Sequence, residues 1–137
     1  MRIGAYKSAS FIEFTPLPEL SSISFDLVAS IEGRQVHNNS LALTGARDFL
    51  AQLDILHRRW TGSATLTGTY DFALQIRALR PSQLWVSLYV VDYISVLPSG
   101  DLPCMRHILD AGFALEDAAA ERLFDQFNEL LDHIRQT

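Results

Sequence analysis

Chemistry in this sequence would have to start from four histidines, His37, His57, His107 and His133, and one cysteine, Cys104. None stands in a recognisable catalytic or metal-binding frame. There is no HExxH, no GxSxG and no Cys–His pair at metal spacing. The glycines at 33, 45, 62, 68, 100 and 112 are isolated, and none opens a strand–Gly–helix phosphate loop. His57 sits at the edge of a helical apolar arc and is read as a packing or capping residue rather than a base. His37 and His107 fall on expected strands and, with Asp110, could form a dispersed active site if folding brings them together. His133 lies on the polar side of the last helix. Cys104, beside Pro103 and near only Arg106, reads as a small hydrophobe. A single cysteine cannot close an internal disulfide or build a Cys-rich zinc site. The expectation is no catalytic residue, no metal and no cofactor.

The elements that must position any site fit one domain over 1–137, with 1–22 as an N-terminal edge segment and connector. Apolar residues make up 48% of the chain, as expected of a globular core. Mean hydropathy of +0.10 and a longest apolar run, Leu84–Val91, broken by Ser87 exclude a membrane-spanning helix. Arg2 and Lys7 are not followed by an apolar stretch, so no secretory signal is expected and the reading is cytoplasmic. The net charge of −5, from 11 basic and 16 acidic residues, argues against a nucleic-acid binder and is compatible with a basic protein partner.

Phe11–Phe14 reads as an edge strand and 16–22, with Pro16, Pro18, Ser21 and Ser22, as a connector. Ile23, Phe25, Leu27, Ala29 and Ile31 alternate as a half-buried strand. Glu32-Gly33-Arg34 turns the chain into a returning strand, Gln35–Leu43. A helix is expected over about 44–60, capped by Thr44, with Phe49, Leu50, Leu53, Leu56 and Trp60 inward and Gly62 ending it. Strands Ala64–Tyr70, Phe72–Leu79 and Leu84–Tyr93 follow. Pro98–Pro103 makes a turn, Leu109–Leu115 a last strand, and 117–135 a second helix with Leu123, Phe124, Phe127, Leu130, Leu131 and Ile134 inward. The order predicts an α+β fold, a mainly antiparallel sheet with both helices on one face. Phe25, Leu27, Phe49, Leu53, Leu74, Ile76, Phe113, Phe127 and Leu130 should be core.

Two surfaces remain as candidates for binding. Strand 84–93 is apolar on both sides, with Trp85, Tyr89, Val91 and Tyr93 opposite Leu84, Val86, Leu88 and Val90. If only one face is covered, that row is an aromatic patch for a partner; if both are covered, it is a central buried strand. The second surface is the outer side of the last helix. There Asp117, Glu121, Asp125, Glu129 and Asp132 fall within about 120° of one another. No lysine interleaves to offset their repulsion. This stripe is either a docking face for a basic protein or an ordinary solvated face.

These residues, over roughly 23–135, resemble the WapI-type immunity proteins of bacterial polymorphic-toxin systems. The resemblance rests on Ile23–Leu27, on Leu41–Leu43 running into the helix with Phe49, Leu50, Leu53 and Leu56, and on Gly62–Gly68 leading to Phe72–Leu79. It closes with Phe113–Asp117 entering the helix with Phe127, Leu130 and Leu131. Val91–Met105 is longer and more apolar than the family pattern. The resemblance implies a cytosolic protein without chemistry of its own that binds and neutralises a cognate toxin domain, often a nuclease. It leaves a homo-oligomer open. Two alternatives stand beside it. One is a small-ligand-binding domain with its ligand between the sheet and the loop at 97–104. The other is an enzyme with dispersed residues such as His37, His107 and Asp110.

Overall fold

Side chains alternate along a strand with period two, and Phe25, Leu27, Ala29 and Ile31 accordingly all turn inward and are fully buried. The computed structural model describes residues 1–4, 9–95 and 104–135, and their side chains except those of 92–95, 104–107 and 135. Its elements are β1 (Arg2–Gly4), β2 (Phe11–Pro16), β3 (Ser24–Ile31), β4 (Arg34–Ala42), α1 (Ala46–Arg59), β5 (Ser63–Thr67), β6 (Ala73–Arg80), β7 (Gln83–Ser95), β8 (Cys104–Glu116) and α2 (Asp117–Arg135).

The fold is α+β, and the strands form two four-stranded antiparallel sheets, β1-β2-β3-β4 and β5-β6-β7-β8, each strand paired with its neighbour in sequence. This replaces the single sheet with both helices on one face that the sequence predicts. One core serves both sheets and both helices. Phe127 of α2 packs edge-on against Phe14 of β2, with ring centroids 6.2 Å apart, and against Phe49 of α1 at 4.9 Å. Phe14 also meets Phe25 and Phe72. Of the expected core residues, all are buried except Leu130, which is half-buried against the cluster.

The sheets are joined where β4 ends. The Thr69 N–H donates to the Ala42 carbonyl (2.9 Å), the Ala42 N–H to Thr69 Oγ1 (3.0 Å), and the Gly45 N–H to the Thr67 carbonyl (3.2 Å). Gly68 is needed here, because a Cβ at that position would lie 2.7 Å from the Ala42 carbonyl oxygen. These bonds also fix the entry to α1. The N-cap residue is Gly45 with no side-chain cap, where the sequence suggested Thr44. At the other end, where the sequence suggested Gly62, the C-cap is Trp60, which takes the left-handed conformation at φ 50° and closes its N–H on the Leu56 carbonyl. A left-handed non-glycine residue costs about 1–2 kcal/mol. Trp60 offsets this by packing edge-on against Phe124, with centroids 5.4 Å apart.

Glu32 and Gly33 both have positive φ, 52° and 80°, as a type I′ hairpin turn requires. The β5–β6 turn has the same signature at Tyr70 and Asp71, φ 56° and 59°, with no glycine to relax it. Strand β1 had no counterpart in the sequence reading; three residues are too few to show a period. The expected Pro98–Pro103 turn lies outside the described residues.

Candidate functional site

Helix α2 buries Ala120, Leu123, Phe124, Phe127 and Leu131, and this fixes which side faces water. On that side Asp117, Glu121, Asp125, Glu129 and Asp132 are all exposed. The Asp117 N–H donates to the Ser82 carbonyl (2.8 Å), which anchors the start of the helix to the β6–β7 turn. Its carboxylate lies at the positive end of the helix dipole, where it is favoured, whereas Asp132 lies near the negative end. Glu121 has a neighbour across the helix pair: His57 Nε2 of α1 lies 3.3 Å from its Oε2. The His57 ring stacks on Phe124 at 4.0 Å with an interplanar angle of 8°. His57 is thus a packing residue between the two helices, as expected.

The aromatic row is only partly available. Trp85 and Tyr89 of β7 are half-buried on the outer face of the second sheet. Across the register, Trp85 stands beside Arg77 and Ala114, Ser87 beside Gln75 and Gly112, and Tyr89 beside Ala73 and Asp110. The indole lies over Gly112, where a Cβ would come within 2.9 Å of its Cε2 and Cζ2. Val91 departs from the expectation of a partner-facing residue. It is buried, 1% exposed, and has no surface to offer. The Tyr93 side chain lies outside the described residues.

Of the expected set His37, His107 and Asp110, the described side chains are those of His37 and Asp110. His37 is exposed on β4 and its Nε2 lies 2.6 Å from Asp26 Oδ1 on the adjacent β3. Asp110 is exposed on β8, and the His107 and Cys104 side chains lie outside the described residues. Among the described residues, no three His, Cys, Asp or Glu side chains gather to hold a metal ion. No described helix is long and apolar enough to cross a membrane.

One feature was not foreseen. A cleft of about 630 Å³ opens between the 16–24 connector and the last turns of α2. Pro16, Pro18 and Leu130 form apolar walls; Ser21, Ser24, Gln126, Glu129 and His133 supply polar groups. The His133 Nε2–H donates to the Ser22 carbonyl (2.5 Å) and ties the helix to the connector. The small-ligand alternative placed its site at the 97–104 loop, of which 97–103 and the Cys104 side chain lie outside the described residues. The only sequence signals for it were the two prolines and the serines of the connector, which read as a turn.

No family model matches the chain, and comparison with the curated proteins and with the solved structures finds no match, so the resemblance to WapI-type immunity proteins rests on the residues named above.

Proposed function

We propose that the chain is an immunity-type protein that acts in the cytosol by binding a cognate, basic toxin domain and blocking it by contact. The observation that carries this reading is the outer face of α2. Five exposed carboxylates lie along a helix of 19 residues, which is about 28 Å long at 1.5 Å per residue. Like charges three and four positions apart repel by a few tenths of a kcal/mol per pair, about as much as opposite charges would gain. Such a face attracts a basic surface at long range and speeds encounter. Trp85 and Tyr89, half-buried on the outer sheet face, offer apolar area of the kind that slows dissociation.

The test is co-expression with the C-terminal domain encoded by the gene immediately upstream, followed by association kinetics at two salt concentrations. Growth rescue and a stable complex are expected. Reversing Glu121, Asp125 and Glu129 to lysine should slow association roughly tenfold or more at low salt, with the gap closing as salt rises. Trp85→Ala or Tyr89→Ala should act on dissociation instead. Unchanged association and salt dependence in the triple reversal, with the fold intact by circular dichroism, would reduce the face to a solvated surface. The cleft beside α2 favours a second reading, a small-ligand-binding domain.

A further inference from the structure

The cleft beside α2 has a composition that selects among occupants. Its acceptors include a carboxylate, and several of its donors are already bonded within the protein. Glu129 projects a carboxylate onto the rim. His133 spends its Nε2–H on the Ser22 carbonyl, which leaves Nδ1 as the remaining ring nitrogen. Gln126 donates one amide N–H to the Arg2 carbonyl (3.0 Å), leaving the side-chain oxygen and its second N–H. Ser21 and Ser24 share one hydrogen bond of 2.6 Å between their hydroxyls. The Met1 ammonium gives one of its three N–H groups to the Phe14 carbonyl at 2.8 Å. Below this rim the walls are aliphatic: Pro16, Pro18 and Leu130.

From this we infer that the cleft seats an arginine-bearing segment of a basic partner protein, a role that rests on the proposed function and gives it a specific contact point. A guanidinium suits the site better than an ammonium. Its planar fork can donate to a carboxylate and a neighbouring acceptor at once, and it is weakly hydrated, so partial burial costs little. Its aliphatic stem can lie along the prolines and Leu130. The volume, about 630 Å³, is in the range of ordinary ligand pockets and leaves room for a residue beside the arginine. Glu129 belongs both to the cleft lining and to the acidic face of α2. A partner drawn to the face therefore meets the cleft at the end of its path.

The test needs no toxin. The full chain, labelled with ¹⁵N, is titrated with N-acetyl-arginine-methylamide, and in parallel with the lysine analogue, acetate and inorganic phosphate. Arginine should move amide signals at Ser21–Ser24 and at Gln126–His133, with millimolar affinity. The lysine analogue should bind several-fold more weakly, and the anions should leave those signals unmoved. Glu129→Gln should weaken arginine binding about tenfold, whereas Asp54→Asn, exposed on α1 and outside the cleft lining, should leave it unchanged. Equal arginine binding by Glu129→Gln, shifts spread evenly along α2, or anion binding in place of arginine would each overturn the assignment. Failure here with toxin association still slowed by charge reversal removes the cleft and keeps the immunity reading. Arginine binding without any toxin complex does the reverse.

Discussion

Adding one methyl group at Gly112 tests how closely β7 and β8 are fitted beneath Trp85. A Cβ at this position would lie 2.7 Å from the Val86 carbonyl oxygen and 2.9 Å from two atoms of the Trp85 ring. The ring can swing away, but the carbonyl is backbone of Val86, which pairs with Phe113 one step along the β7–β8 ladder from the Ser87–Gly112 pair. Overpacking of this kind costs about 1–3 kcal/mol. Against it stands a gain of about 0.4–1 kcal/mol, because alanine restricts the unfolded chain more than glycine does. Gly112→Ala should therefore destabilise by about 1–2 kcal/mol, which for a chain of this size lowers the melting temperature by roughly 4–8 °C. Urea unfolding of the wild type, Gly112→Ala, Trp85→Ala and the double variant forms a cycle. With the indole gone, only the carbonyl contact remains, so the Gly112→Ala penalty should shrink by about 0.5–1 kcal/mol without vanishing. A neutral or stabilising Gly112→Ala would refute the close fit. An additive cycle would show that the ring does not lie over Gly112, and the account of why Trp85 is only half exposed would fall with it.

Phe127 is 0% exposed and touches Phe14 and Phe49, which belong to the first sheet and to α1. Phe127→Ala should cost about 3–5 kcal/mol in chemical denaturation, and a loss under 1 kcal/mol would contradict the shared core. At the β5–β6 turn, Tyr70-Asp71→Asn-Gly should stabilise by about 1 kcal/mol, because both positions hold positive φ and Asn-Gly relaxes that geometry. A lower melting temperature in this variant would mean that Tyr70 contributes more through its contacts than its conformation costs.

Much of the architecture was legible because it is written locally. The alternation of Phe25, Leu27, Ala29 and Ile31 gave β3, and the spacing of Phe49, Leu50, Leu53 and Leu56 gave the buried side of α1; all eight are buried. Glu32-Gly33 announced its turn through the glycine. The near-identical turn at Tyr70-Asp71 could be placed but not described, since nothing in those side chains demands positive φ. The division into two sheets was not legible. It depends on which strands stop pairing after β4, and that is decided by Thr69 closing on Ala42, 27 positions earlier in the chain. Helix ends failed for a related reason. Thr44 is a good cap in isolation, but the Gly45 N–H is held by Thr67. Trp60 takes a glycine's conformation because Phe124, far along the chain, gives its ring a place to pack.

The binding surfaces divide along the same line. The carboxylate face of α2 could be read directly, since five residues on one helix need only the helical period to come together. The row on β7 could be read only as a choice, because Val90 and Val91 present apolar side chains to both faces and the sequence does not say what covers them. The structure buries both valines and leaves Trp85 and Tyr89 half-covered, an outcome between the two alternatives. The cleft was out of reach altogether, because the bond that closes it, from His133 to Ser22, spans 111 positions. Its two sides also look unremarkable when separate, one a proline-serine connector and the other the polar flank of a helix. Only their meeting places the Glu129 carboxylate beside an aliphatic wall. That pairing turns a diffuse negative face into a contact able to prefer arginine over lysine, because hydration differences count only where water is partly excluded.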